Sequence, residues 1–538
     1  MTTTARLPKF RRMAARTDGR RHSHIAAWSA AALLVLLLAG CGPGREHRGT
    51  RLVLALPDTL RLDPRAPQDD WATPFLALLH EGLVRFDSTG AVRAAGAARW
   101  TVSTSGLTYT FHLRPDWRFE DGTRVTAADC ARTLDSLFDV DPPSPARPRF
   151  WSLVGAMAAR ARGRGPLGLD ASDSATLVMH LVAPDPHLLE KLAQPRYAVP
   201  TAPAERERRL GHALATGPYR LAAPLTDRAI LVRNPAYRGT APAVPDSIVV
   251  LFGVSTRRAV LGLASGRVDV LWPAPLGILR ERLAREAKLI PVEGAARNAP
   301  VWVLALHAEV FPMARHSARY ALARGLNRQR MVEAVAPYGF PWRTFAPAGA
   351  GAPMAAGFDP QAAQQALDLD KRINGIQIAI QAPLASPEAS ACRALLGDFG
   401  RASIYGEIRT RSRAAFFHDL YDRRAPVASL VVWRPPTDDP IEGLAEWLLN
   451  RSLDDRWSGN LGGLRSPGLD SLIVRALEER SVEGRQALRT EIELRLADEA
   501  PYVPVARVRE LAYVRSSVAG LAFHRDYGLD LGRAQVGR

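Results

Sequence analysis

The sequence predicts a mixed α/β or α+β protein of two or three packed units, and three observations carry this prediction. The chain has 538 residues, which exceeds the size at which a single hydrophobic core keeps growing. Hydrophobic residues make up 47% of the chain and charged residues 23%, a balance typical of soluble globular proteins. Strand-like and helix-like apolar periods follow one another without an internal repeat. A single small module is therefore excluded.

The formal net charge of +17 raises the question of nucleic-acid binding. Residues 1–40 carry seven basic side chains and one acidic side chain, so the rest of the chain keeps 64 basic and 53 acidic residues and a charge of +11. This remainder is scattered among acids, and no helix-turn-helix, zinc-finger or RNA-binding signature accompanies it. The charge therefore favours a generally arginine-rich composition over nucleic-acid binding.

The N-terminus has the pattern of an export signal. A basic start is followed by an apolar run from Ile25 to Leu38 and then at once by Ala39-Gly40-Cys41. The run is shorter than the roughly 20 residues that a membrane-spanning helix needs, so it predicts a cleaved signal peptide over 1–40. Small residues before a cysteine resemble the lipobox of bacterial lipoproteins, which implies acylation of Cys41 and a tether over 41–50. An ordinary secretory signal is the alternative, and the export route, Sec or twin-arginine, is left open.

The mature chain begins with an alternating strand from Arg51 to Leu56. The period-2 and apolar runs predict further strands at 108–113, 229–232, 247–252, 301–306, 376–381 and 430–433. Helical periodicity predicts helices at 318–334, 388–396, 470–479 and 483–496. Stretches rich in proline and glycine at 141–149 and 346–357 predict loops.

Several short motifs have a local structural interpretation. Asp121-Gly122-Thr123 predicts a hairpin turn in which glycine relieves the strain of a positive φ. Thr126 with Asp129 predicts a capping box that starts the next helix. Together with the strand from Gly106 to Arg114 they form one block, and Thr216-Gly217-Pro218-Tyr219 and Pro501-Tyr502-Val503-Pro504 come later in the chain. In this order, over more than 400 residues, the motifs resemble the family 5 extracellular solute-binding proteins, which bind peptides, nickel chelates or sugars for ABC importers.

The resemblance implies a two-lobe periplasmic-binding-protein fold, type II and cluster C, with an extra domain inserted in lobe one. The core of lobe one is expected at 45–84, 185–295 and 505–538, the inserted domain at 85–184 and lobe two at 296–504. A pair of crossing segments would join the lobes, and closure of this hinge would enclose a ligand in the cleft.

The same resemblance places ligand recognition beside one tryptophan of lobe two. In peptide-binding relatives an aspartate three residues after this tryptophan pairs with the free amine of the ligand. The matching tryptophan is Trp433, and the expected acidic position holds Pro436. Asp438 is the candidate substitute for the amine ligand, although it precedes an Asp-Pro pair that has a structural role in the family. Arg434 is a candidate for binding an anionic group, because guanidinium pairs with carboxylate in a bidentate way.

Two more candidates come from other parts of the chain. Trp71 lies in the loop after the first strand, where relatives also line the cleft, and would offer a flat apolar wall. Arg196 lies near the inferred crossing region and is a second candidate for an anionic group. A core position for either tryptophan and a surface position for either arginine are the alternatives.

No sequence motif supports an enzyme. The chain has no Walker loop, no His-Glu-x-x-His and no Gly-x-Ser-x-Gly. Cys130 and Cys392 are expected to be buried, and neither a disulfide framework nor a metal or cofactor site is predicted. The sequence therefore predicts an exported, monomeric lipoprotein that passes a peptide or peptide-sized polar solute to an ABC permease and ATPase. A sensor or interaction lipoprotein with the same fold is the alternative.

Overall fold

The computed structural model describes residues 50–60, 62–64, 71–139, 147–156, 166–195, 207, 212–222, 227–274, 288–295, 299–336, 339–345, 357–370, 373, 376–384, 386–422, 424–434, 439–449, 460–479 and 481–537. The predicted signal peptide and Cys41 lie outside these residues. So do three residues that matter for the predicted site, Arg196, Pro436 and Asp438.

Lobe one is built on a seven-stranded mixed sheet. The predicted first strand is present as Arg51–Ala55 and pairs in parallel with its two neighbours, Ser247–Leu251 and Val270–Leu271. Four of its five side chains are buried, as expected for a strand covered on both faces. Antiparallel strands complete the sheet, with Arg228–Arg233 and Tyr219–Leu221 on one side and Leu511–Val514 and Ile290–Glu293 on the other.

The inserted domain carries its own four-stranded antiparallel sheet and its own apolar core. The strands are, in sheet order, Ala97–Val102, Thr108–Leu113, Thr176–His180 and Leu169–Asp170. The predicted hairpin turn is confirmed, because Gly122 has a φ of 83°. The predicted capping box is also confirmed, since the Thr126 amide donates to Asp129 at 2.8 Å and the Asp129 amide donates to the Thr126 hydroxyl at 3.3 Å. It opens the helix Ala127–Asp139.

Lobe two has a six-stranded sheet between two layers of helices. The strand order is Gly339–Pro341, Tyr502–Val508, Val301–Leu306, Ala428–Trp433, Ile376–Pro383 and Ile404–Arg411. One face packs against the helices His316–Gly325, Arg328–Glu333, Pro360–Leu369 and Pro387–Phe399. The other face packs against the helices Arg413–Tyr421, Pro440–Leu448, Pro467–Glu478 and Val482–Glu499.

One helix prediction in lobe two is wrong in its continuity. The sequence predicted a single helix over 318–334, but the structure has His316–Gly325 followed by Arg328–Glu333. The break occurs at Leu326 and Asn327, both of which have extended backbone angles. The Asn327 side chain accepts a hydrogen bond from the Arg330 amide at 3.2 Å, and asparagine in this position starts a new helix.

Two chain segments cross between the lobes. The first leaves lobe one at Glu293 and enters lobe two at Val301. The second leaves lobe two at Val508 and enters lobe one at Leu511, so that Arg509 and Glu510 lie between the sheets. The Gly294 amide donates to the Glu510 carbonyl oxygen at 2.9 Å, which ties the two segments together. The second crossing therefore begins a few residues later than the expected boundary at 505.

The remaining elements are short. Lobe one and the segments around it contain the helices Thr73–Leu79, Leu188–Leu192 and Thr256–Ala264, and the hairpin Val84–Phe86 with Val92–Ala94. Among the described residues, the 3-10 helices are Arg147–Phe150, Gly400–Ala402 and Leu531–Arg533. The C-terminal part forms two small strand pairs, Val518–Ala519 with Gln535–Val536 and Phe523–His524 with Gly528–Leu529. Within the described residues, no helix has both the length and the apolarity that crossing a bilayer requires.

Candidate functional site

A cavity of about 70 Å³ lies where the two lobes meet at the crossing segments. We call it the hinge cavity, and its walls include Trp71 and Trp272 from lobe one, Trp302, Glu388 and Arg413 from lobe two, and Arg509 from the crossing. A second cavity of about 100 Å³, the adjoining cavity, lies deeper in lobe two and is bordered by Trp433, Trp447, Phe417 and Tyr421. Glu388, Arg413 and Arg434 line both cavities. Aromatic walls with a few charged groups are what small-molecule sites usually present.

Arg413 joins the lobes through its backbone and its side chain. It is the first residue of the helix Arg413–Tyr421, and its amide donates to a carboxylate oxygen of Asp58 in lobe one at 2.6 Å. A carboxylate is favoured there, because the first turn of a helix carries unsatisfied N–H groups and partial positive charge. The Arg413 guanidinium lies over the Trp71 ring, with 3.9 Å from its central carbon to the ring centre, in cation–π geometry.

Three other arginines around the cavities form ion pairs with carboxylates. Arg434 Nη2 lies 3.0 Å from Glu510 Oε2 in the crossing segment. Arg509 Nη1 lies 3.0 Å from Glu293 Oε2. From the inserted domain, Arg149 Nη2 reaches Glu446 Oε2 of lobe two at 2.5 Å. These charges are therefore balanced within the protein before any ligand is considered.

Glu388 is different from these carboxylates. It lies in the first turn of the helix Pro387–Phe399, and the residue is 6% exposed. Its Oε2 is buried and has no hydrogen-bond partner among the described residues. A buried carboxylate oxygen without a partner is costly, so it needs an explanation.

Trp433 and Trp71 are both largely buried. Trp433 is 2% exposed and packs edge-on against Phe345, with ring centres 5.1 Å apart, and against Trp447 at 6.3 Å. It belongs to the apolar core of lobe two and also borders the adjoining cavity. Trp71 is 7% exposed and packs in the core of lobe one beside the hinge cavity. Each tryptophan therefore has a core role and one edge toward a cavity.

A second contact between the lobes is ionic. Lys191 Nζ lies 2.9 Å from Asp185 Oδ2, and 2.9 Å from Glu442 Oε2 in lobe two. The three side chains are almost completely buried, and we call them the ionic cluster. Burial by itself would lower the pKa of Lys191, but the charges of Glu442 and Asp185 outweigh burial and raise it. Lys191 is therefore charged at neutral pH.

The ionic cluster is flanked by a histidine and a second ion pair. His187 Nδ1 lies 3.2 Å from Glu190 Oε2, and His187 Nε2 lies 4.0 Å from Asp439 Oδ2 of lobe two. Arg485 pairs with the same Asp439 carboxylate. Asp439 also caps the helix Pro440–Leu448 by accepting from the Ile441 amide at 2.9 Å. These groups therefore add to the contact between the lobes.

The structure places three of the predicted ligand-binding residues on these cavities. Trp71 lines the hinge cavity, Trp433 borders the adjoining cavity and Arg434 borders both. Their contact with a ligand stays a prediction. The predicted roles of Asp438, Arg196 and Cys41 fall outside the described residues.

Glu388 and Arg413 are the residues that sequence reasoning missed. Ser386-Pro387-Glu388 has the pattern of an ordinary helix start, and the Ser386 hydroxyl does accept from the Ala389 amide at 3.2 Å. Arg413 likewise follows a capping serine, Ser412. Neither pattern carries a signal for a ligand, because the walls of the cavities come from segments far apart in the sequence.

The cysteine thiols and the possible metal ligands are the other reactive groups of the described residues. Cys130 and Cys392 are free thiols and buried, as expected. Burial raises the pKa of both thiols, which keeps them protonated and unreactive. Within the described part of the chain, no group of three or more histidine, cysteine or acidic side chains is arranged to hold a metal ion.

Comparison with known proteins identifies the family. Residues 91–452 match the family model of the bacterial extracellular solute-binding proteins, family 5 Middle. The matched segment covers well over half of the chain. The protein therefore belongs to the bacterial extracellular solute-binding proteins of family 5, which confirms the resemblance that the sequence motifs indicate.

Curated relatives match over shorter segments. The probable deoxycholate-binding periplasmic protein YgiS of Escherichia coli is 28% identical over 243 residues, which cover 43% of this chain and 45% of YgiS. The periplasmic oligopeptide-binding protein OppA of Escherichia coli is 29% identical over 202 residues, 36% of this chain and 37% of OppA. The chain thus aligns with less than half the length of these relatives.

Solved structures match over nearly the whole fold. The murein tripeptide binding protein MppA of Escherichia coli superposes with a TM-score of 0.81 at 19% identity, covering 91% of this chain and 99% of MppA. Haemophilus influenzae OppA in complex with RPPGFSPFR gives a TM-score of 0.78 at 19% identity, with 91% and 99% coverage. These similarities confirm the predicted mixed α/β, two-lobe binding-protein fold.

Proposed function

We propose that the protein captures a peptide or peptide-sized polar solute between its two lobes and delivers it, as a monomer, to an ABC permease and ATPase. The single observation that carries this proposal is the hinge cavity between the lobes together with the adjoining cavity in lobe two. Both are lined by aromatic and charged side chains, and the hinge cavity draws its walls from both lobes and from the crossing segments. Membership of a solute-binding family supports the same conclusion.

The position of the cavities explains how binding would drive closure. A ligand shifts an equilibrium between open and closed forms only through contacts that differ between the two forms. A solute in the hinge cavity touches Trp71 of lobe one and Arg413 of lobe two together, and this is possible only when the lobes approach each other. Closure also removes water, which strengthens each polar contact to the solute.

The ligands of related structures support the class of solute. Haemophilus influenzae OppA is described with the peptide RPPGFSPFR, and a dipeptide-binding protein of Pseudoalteromonas with Met-Leu. AgaA of Agrobacterium tumefaciens is described with agropinic acid, which is a different kind of ligand. Because Pro436 replaces the acidic residue that the family resemblance leads us to expect, simple di- and tripeptides should bind weakly at that position unless Asp438 compensates.

The capture proposal is tested by returning to the protein the small molecules that co-purify with it. Small molecules released by denaturing natively purified protein should bind again to refolded protein, raise its melting temperature and be recovered with unchanged mass. The rise should disappear after the extract is dialysed. Chemical conversion of the bound compound would contradict solute capture and indicate an enzyme.

We also propose that Cys41 carries a lipid that holds the protein on the outer side of a bacterial membrane after removal of residues 1–40. The apolar segment and the small residues before Cys41 support this assignment. Labelling with a radioactive fatty acid should mark the wild type and not Cys41→Ala, and the variant should leave the membrane fraction. Cys130→Ala is the matched control and should keep both label and location. Membrane retention of Cys41→Ala would contradict the lipid anchor.

A further inference from the structure

Glu388 occupies a position in lobe two that faces the crossing segments. The strand Ile376–Pro383 ends beside the interlobe region, and the next helix, Pro387–Phe399, begins four residues later. Glu388 is the second residue of this helix, and it lines both the hinge cavity and the adjoining cavity. Its carboxylate is therefore presented to the space between the lobes by a rigid element.

Glu388 differs from the other carboxylates around the cavities in its hydrogen bonding. Glu510, Glu293 and Glu446 each form an ion pair with an arginine at 3.0 Å or less. Glu388 is 6% exposed, and its Oε2 has no hydrogen-bond donor among the described residues. The Arg413 guanidinium lines the same cavities and lies over the Trp71 ring.

The start of the helix offsets only part of the cost of this carboxylate. Negative charge in the first helical turn is stabilised only weakly by the helix dipole. Burial of a carboxylate oxygen without a hydrogen-bonding partner costs more than that. The position therefore lacks one donor, and the donor that satisfies a carboxylate best is a cationic N–H group.

We infer that Glu388 anchors a cationic nitrogen, an ammonium or guanidinium group, of the captured solute. This inference rests on the proposed capture function and specifies its ligand class. Trp71 and Trp302 in the hinge cavity and Trp433 at the adjoining cavity flank the carboxylate with aromatic surface. Aromatic faces accept both the apolar part and the cation of such a solute. The cation is thus held at the start of the helix Pro387–Phe399 and not at the position of Pro436.

The test compares two pairs of probes that differ in one charge. N-acetylarginine and N-acetylcitrulline, both with a blocked α-amine, differ in a guanidinium against a neutral ureido group, and trialanine and N-acetyl-trialanine differ in a free against a blocked amine. Calorimetric titration should show that the wild type prefers the charged member of at least one pair. Glu388→Gln should weaken binding of that member about 100-fold or more, because an ammonium or guanidinium would then be buried without its counter-charge. The member that lacks the cationic group should bind both proteins alike.

Two further variants separate anchoring from folding. Glu407→Gln is the matched control, since Glu407 is an exposed carboxylate of the same lobe, 61% exposed and paired with Arg409, and it should bind as the wild type does. Glu388→Asp keeps the charge on a shorter side chain and should retain part of the preference. A purely structural role of Glu388 predicts a lower melting temperature for Glu388→Gln with the preference for the charged probe unchanged, and that result would overturn the inference.

The ligand class is overturned separately if the wild type binds neither probe with the cationic group better than the partner that lacks it. In that case the compound that co-purifies with the protein, measured in the same preparation, still reports on capture. If it closes the lobes in solution scattering, solute capture stands and only the cation assignment falls. If it binds without closing them, the proposed function itself fails.

Discussion

The two contacts between the lobes solve the problem of buried charge in different ways. In the ionic cluster, Lys191 lies 2.9 Å from both Asp185 and Glu442, so the protein supplies every partner itself. At the hinge cavity, Glu388 keeps a carboxylate oxygen without a hydrogen-bond partner among the described residues. The ionic cluster is complete without a ligand, whereas the hinge cavity is completed by one. The difference shows where a solute has most to contribute to closure.

Energetics supports this division of roles. A buried ion pair gains little net stability, because the loss of hydration cancels most of the attraction between the charges. The ionic cluster therefore fixes how the lobes meet more than it drives them together. A solute that pairs with Glu388 removes a cost that burial in the closed form imposes, so this contact favours the closed form over the open one.

The largest effect is expected from Lys191→Met. This change leaves Asp185 and Glu442 buried without their shared cation, and breaking a buried pair in this way costs about 3–5 kcal/mol. Denaturant unfolding should show the loss. Arg409→Met removes one member of the exposed pair with Glu407 and should cost about 1 kcal/mol or less. Similar losses of unfolding free energy for both variants would mean that the ionic cluster is not a buried contact whose charges pair with one another.

A smaller effect, on binding, is expected from Trp433→Ala. If the ring borders the bound solute, its removal should weaken binding by about 2 kcal/mol. The variant will also lose stability, since Trp433 is 2% exposed in the core of lobe two. Binding should therefore be titrated well below the melting temperature. Phe345→Leu disturbs the same aromatic packing from a residue that lines neither cavity, and it should leave affinity nearly unchanged. Equal weakening by both variants would assign Trp433 to the core alone.

The smallest effect is a pH dependence of the contact around the ionic cluster. Burial lowers the pKa of His187, but the hydrogen bond with Glu190 and the charges of Glu442 and Asp439 outweigh it, so that the pKa is raised overall. Arg485, which pairs with Asp439, acts in the opposite direction. Because the folded pKa is raised, the stabilisation is fully present below the unfolded value of about 6.5 and is lost as the pH rises through the folded pKa.

This pH effect should amount to about 1 kcal/mol or less. It is measured as the difference in unfolding free energy between wild type and His187→Gln from pH 5 to pH 8. The difference should shrink as the pH rises. A difference that grows with pH would mean that His187 is neutral in the folded protein.

The sequence predicted the sheets well, and its predicted site residues stay predictions. Thr108–Leu113 and Val301–Leu306 have the predicted bounds, because apolar alternation and a continuous apolar run both end at polar or turn residues. The resemblance to the family drew attention to Trp71, Trp433 and Arg434. Glu388 was not predictable, because its burial depends on the approach of lobe one and of the crossing segments, which are distant in the sequence.

Small-angle scattering tests the central claim, closure of two lobes on a solute, most directly. The protein is freed of bound compounds by unfolding and refolding, measured alone, and measured again with the compounds released from the native preparation. Contacts made to both lobes at once should reduce the radius of gyration, and dialysis should restore the larger value. A tight binding isotherm for the same mixture with an unchanged radius of gyration would contradict capture between the lobes.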